Sequence, residues 1–93
     1  MKVKFASSFV LVLNNQVAYI SVDKPMAARK FKNDLQKALR KDLIHPFHFK
    51  KSIYYDDENI RDYVFKGYIS VYKIDEQNQI VTVFGFIKHK ETL

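Results

Sequence analysis

The chain has no cysteine, no tryptophan, two glycines and two prolines in 93 residues. Without cysteine there is no disulfide framework and no thiolate metal site. Two glycines do not make a phosphate-cradling loop. Ser52 and Ser70 have no glycine elbow beside them, which leaves a serine nucleophile without its usual setting. No apolar run is long enough to cross a bilayer. Met1-Lys2-Val3-Lys4 is charged but is not followed by the apolar core and small-residue cleavage site of a signal peptide. The expected location is therefore the cytoplasm.

What is present is apolar and basic. Nearly half the residues are apolar, and six tyrosines and eight phenylalanines are among them. This composition argues against disorder and for one small domain spanning residues 1–93. The net charge is +6. Such a balance favours nucleic acid, the ribosome or an acidic protein as partner.

The segment Ile60–Ile74, IRDYVFKGYISVYKI, reads as two strands joined at Lys66-Gly67. A glycine there supplies the positive φ of a tight hairpin turn. A two-residue turn puts Arg61, Tyr63, Phe65, Tyr68, Ser70, Tyr72 and Ile74 on one face. Ile60, Asp62, Val64, Ile69, Val71 and Lys73 fall on the other. Both faces are substantially apolar, and one helical layer covers only one of them. The second face, through Ile60, Val64, Ile69, Val71 and Lys73, is expected to meet a partner protein.

The remaining elements follow from spacing. Lys2–Phe5 alternates and reads as a strand. Ser7 or Ser8 is suited to cap a helix. Phe9–Val22 admits two readings. As a helix it aligns Phe9, Leu13, Val17 and Ile20. As strands it divides around Asn14-Asn15, and its Val and Ile content suits strand. Asp23 and Pro25 then open an amphipathic helix over Met26–Leu43, with Asp23 as the expected cap. Its stripe is Ala28, Phe31, Leu35, Leu39 and Asp42-Leu43, with Asp42 at the edge, and Arg40-Lys41 suit the dipole of the last turn. Pro46 stops it. Ile80–Ile87 is a continuous apolar run, which marks a central strand. The fold expected is α+β, with helices on one face of a sheet.

Chemistry-bearing residues are few. His45 and His48 flank a proline near Asp56, Asp57 and Glu58, at no spacing that matches a metal template. No metal or other cofactor is expected. Lys and Arg dominate the stretch from Lys24 to Lys51, and a second basic cluster, Lys88-His89-Lys90, follows the last strand. Side chains of this kind contact phosphates. A histidine between lysines has its pKa pushed down in principle, which suits acid–base work near neutral pH.

An ordered set of residues then resembles a known family. It runs through Tyr19-Ile20, Pro25, Ala27-Ala28, Phe31, Leu35, Leu39 and Pro46-Phe47. It continues through Ile60-Arg61, Lys66-Gly67-Tyr68, Tyr72-Lys73-Ile74-Asp75 and Lys88-His89-Lys90. This pattern resembles the RelE/ParE superfamily of bacterial type II toxins, in its ParE-like branch. The resemblance implies a strand, a helical hairpin and a three-stranded antiparallel sheet packed on the helices, and so a helix over Phe9–Val22. It implies a small, acidic, DNA-binding antitoxin as partner. For the target it implies either DNA gyrase, trapped on DNA, or the ribosome, where mRNA is cut. Nuclease members of the RelE type carry arginine after the glycine-tyrosine pair, where this chain has Ile69. If the chain is a nuclease, the resemblance puts the work on Arg61, Lys88, His89 and Lys90. The gyrase-directed reading is the one expected.

Overall fold

A computed structural model describes residues 1–88 of the chain. The order is β1 (Lys2–Phe5), α1 (Ser7–Ser21), α2 (Pro25–Asp42), a 3₁₀ turn at Pro46–His48, β2 (Ile60–Phe65), β3 (Tyr68–Asp75) and β4 (Ile80–Lys88). The strands form one sheet in the order β1-β4-β3-β2. No helix among the described residues is long and apolar enough to cross a membrane.

The β2–β3 hairpin has the register expected from its turn. Phe65 faces Tyr68, Tyr63 faces Ser70 and Arg61 faces Tyr72. Lys66 and Gly67 both take positive φ, 48° and 81°, the pairing that matches the twist of the flanking strands. The β3–β4 pairing shifts register between Val71 and Tyr72. Such a bulge changes which face the following residues take. Val81 and Val83 face the helices before it and Phe86 after it, and all three join the main core. Gly85 lies opposite Val71. A Cβ there would stand 3.2 Å from the Val71 Cβ, so the close approach suits glycine.

The sheet is mixed, not wholly antiparallel, and has four strands. β1 pairs in parallel with β4, Val3 beside Val81 and Phe5 beside Val83. Without β1 the apolar β4 would be an exposed edge, which proteins avoid. β1 therefore joins the sheet, and β4 becomes central.

The segment from Phe9 is helical as far as Ser21 despite its β-branched residues, because tertiary burial outweighs local propensity. Phe9 and Leu13 are fully buried. Neither serine caps the helix. The N-cap is Ala6, whose N–H donates to the Val83 carbonyl at 2.9 Å. Ser8 sits in the first turn and donates to the Phe84 carbonyl at 2.8 Å. Asp23 does not cap α2 either. Lys24 holds that position without a side-chain bond, and Pro25 opens the helix. Ala28, Leu35, Leu39 and Leu43 are buried as the spacing requires. Phe31 is half-buried against Phe65 and Tyr68.

Candidate functional site

Arg61 is held by the chain itself. Its Nε donates to the Glu58 carbonyl at 2.9 Å and its Nη1 to the Phe49 carbonyl at 2.8 Å. Its Nη2 lies 3.7 Å from the Glu58 carboxylate, and its guanidinium lies 5.1 Å from the centre of the Phe47 ring. These bonds tie the connection after α2 to the start of β2. We predict that Arg61→Gln destabilises the protein by about 2 kcal/mol, since charged hydrogen bonds are lost and two carbonyls left unpaired. A urea midpoint unchanged from the wild type would contradict this role.

Lys88 ends β4 opposite Tyr68 and is exposed. Arg61 lies opposite Tyr72 on β2. With β3 between their strands, the two backbones stand roughly 16 Å apart. The structure does not bring them together. His89 and Lys90 lie outside the described residues.

Ile69, which follows the glycine-tyrosine pair, is buried. It faces Val64 on β2 and Ile87 on β4, both apolar. Ile60, Ile69 and Val71 form a second small core with Phe84 and Ile87. The chain's own connecting segment reaches across this face. The Ser52 N–H donates to the Ile60 carbonyl at 2.8 Å, and the Asp62 N–H to that of Lys50 at 3.1 Å. Three residues on, the Tyr55 ring meets Phe84 on β4, with centroids 5.6 Å apart. Of the residues expected to meet a partner, Val64 and Lys73 are exposed while Ile60, Ile69 and Val71 are buried. Val64 is 65% exposed. Ile53 is also exposed, and its N–H donates to the Asp62 carboxylate at 3.1 Å. Val64 follows Asp62 on the same face, which makes an apolar edge beside the hairpin.

A polar pair anchors the other side of the sheet. Tyr63 donates to the Asp42 carboxylate at 2.5 Å, and Tyr72 to the Pro46 carbonyl at 2.6 Å. Burial, then the Asp42 bond and charge, push the Tyr63 hydroxyl well above its ordinary range. Burial does the same for Tyr72, against the opposing pull of Arg61 and with a push from Asp62. Both hydroxyls are structural donors. His45 and His48 are exposed beside the 3₁₀ turn, and among the described residues no three His, Asp or Glu side chains gather as metal ligands would.

The helical hairpin presents two different outer surfaces. Between Phe5 and Asp23 the chain has no charged residue, and α1 with its C-cap leaves Leu11, Val12, Tyr19 and Val22 exposed. Of these, only Tyr19 is marked by the sequence, through the family resemblance, and none is expected there to form a surface. The available signal was that absence of charge in a chain otherwise rich in it. The outer face of α2 is basic, with Arg29, Lys30, Lys37, Arg40 and Lys41 exposed.

The molecule is thus a small α+β protein with an antiparallel helical hairpin on one face of a mixed sheet. Residues 3–93 match the family model described as the ParE toxin of the type II toxin-antitoxin system, parDE, and the chain belongs to that family. Membership implies a cognate antitoxin as partner. The comparison with curated proteins gave no match.

Proposed function

We propose that residues 1–93 form a single toxin domain that arrests growth in the cytoplasm by poisoning DNA gyrase, as a binding protein without chemistry of its own. The state of the basic residues carries this reading. A nuclease of the RelE type needs several cations converging on one phosphate, to offset charge in the transition state. Arg61 is committed to backbone carbonyls, Lys88 stands far from it, and Ile69 is buried among apolar neighbours. Family membership supports the toxin role and leaves the target to be argued from these residues.

The antitoxin, on this reading, covers the exposed edge at Val64 and Lys73. Ile60, Ile69 and Val71 lie beneath the surface it meets and shape that surface from below. Ile53, beside them, extends the apolar contact.

The competing activity is ribosome-dependent mRNA cleavage by attack of a 2′-hydroxyl on the adjacent phosphate. His89 would then be the acid or base, with Lys88 and Lys90 beside it. His89→Ala separates the two. We expect this variant to arrest growth as the wild type does, with transcript ends unchanged on expression of either protein. Loss of arrest together with loss of new transcript ends would overturn the gyrase reading.

A further inference from the structure

We infer that the outer face of α2 is a contact surface for the phosphate backbone of duplex DNA. Arg29, Lys30, Asn33, Lys37, Arg40 and Lys41 are all exposed on this one helix. Arg29, Asn33, Lys37 and Lys41 follow one another at four-residue steps, which keeps them on a single side. From Arg29 to Lys41 the stripe runs about 18 Å along the axis. That length covers roughly five base-pair steps of one strand.

The cations are available. Among the described residues, Asp34 is the carboxylate that answers this face, and it is taken by Lys30 at 3.0 Å and Lys66 at 3.9 Å. No ion pair forms at Arg29, Lys37, Arg40 or Lys41 among the described residues. Arg40 is exposed and lies over the Phe5 ring, 4.5 Å from its centre, which fixes its position.

The composition of the stripe selects the occupant. A protein partner draws most of its affinity from a few buried apolar or aromatic anchors. From Arg29 to Lys41 the exposed side offers cations and one amide, Asn33, which are the groups that bind phosphate oxygens. Apart from Met26 in the first turn of α2, the large exposed apolar residues of the helical hairpin lie on α1 and its C-cap, among them Leu11, Tyr19 and Val22. The hairpin therefore presents a protein-facing side and a DNA-facing side next to each other. A toxin that holds an enzyme on its DNA is placed where it can touch both. The inference deepens the gyrase reading and rests on it for the source of the duplex.

The test is fluorescence anisotropy of the full-length protein, free of antitoxin, with a labelled 20-base-pair duplex across a series of salt concentrations. Wild-type binding should weaken steeply with salt. The double change Lys37→Gln, Lys41→Gln should lower affinity about 50-fold near 0.1 M salt and reduce the salt slope by about 1.8. Lys2→Gln with Lys4→Gln, exposed on β1 on the opposite side of the sheet, should change neither as strongly. Circular dichroism checks that each variant is folded, as expected for exposed substitutions. The inference is overturned if the α2 variant binds like the wild type, if the sheet-face variant is the one that loses binding, or if an acidic peptide binds the stripe while the duplex does not. The assay contains no gyrase, so its failure is distinct from failure of the gyrase reading. Gyrase poisoning by a protein whose α2 variants bind duplex normally removes this inference alone.

Discussion

Phe9→Ala is expected to cost about 3–5 kcal/mol of folding stability. Phe9 is fully buried. Its ring lies 5.4 Å from that of Phe5 and 5.7 Å from that of Phe86. It therefore joins α1 to β1 and to the central strand β4 at one point. Alanine removes the ring and leaves a cavity that three elements border, and none can close it without moving the others. For a domain of this size the loss corresponds to roughly 15–30 °C in Tm. Leu11→Ala, on the exposed side of the same helix, should cost under about 0.5 kcal/mol. The contrast checks the orientation of α1. Equal losses at the two positions, in thermal or urea unfolding, would mean that the helix does not face the sheet as described.

Raising the pH should unfold the protein through Tyr63 and Tyr72. Both hydroxyls are protonated donors in the fold, and both are pushed above their ordinary pKa, mainly by burial. A group whose folded pKa is raised stabilises fully below its unfolded pKa, and that contribution is lost as pH rises towards the folded value. The unfolded value for tyrosine is about 10, so the loss begins near pH 10 and continues above it. In that window each tyrosine removes about 1.4 kcal/mol per pH unit, because the unfolded chain has released its proton and the folded chain has not. The exposed Lys51, raised by its bond to Asp56, acts in the same direction. Urea midpoints at a series of pH values from 9 to 11.5 measure the slope. Tyr63→Phe should be less stable at pH 8, through loss of the bond to Asp42, and should lose stability more gradually above pH 10. An unchanged slope in that variant would mean that Tyr63 ionises as freely as in the unfolded chain.

The hairpin was readable from sequence because its register depends on local features. Lys66-Gly67 sets the turn, and period-two alternation assigns each side chain to a face. α2 was readable for the same reason, since Ala28, Leu35, Leu39 and Leu43 recur at helical spacing. α1 was not decided by its own residues. Val10, Val12, Val17 and Ile20 suit a strand, and burial against residues such as Phe86, distant in sequence, settles it; the family resemblance supplied the helix. The parallel pairing of β1 with β4 was missed because nothing in Lys2–Phe5 names a partner 78 residues further on, Lys2 beside Ile80. The start of α1 was not legible because it is set by a strand distant in sequence: the Ala6 N–H donates to the Val83 carbonyl where the chain leaves β1. In the candidate site, the burial of Ile69 and Val71 was not legible either. A polar, charged segment runs along the β2 edge of that face, held by backbone bonds to Ile60 and Asp62, and reaches Phe84 through the Tyr55 ring.

The most direct test of the proposed function is a gyrase reaction. Purified protein freed of antitoxin is incubated with DNA gyrase, supercoiled plasmid and ATP, and the products are examined for cleaved plasmid covalently linked to protein. Accumulation of cleaved complexes, reversed by the cognate antitoxin, is the result expected. Gyrase left unaffected by a protein that still arrests growth would contradict the account. It would make the ribosome the target and His89 the first residue to study.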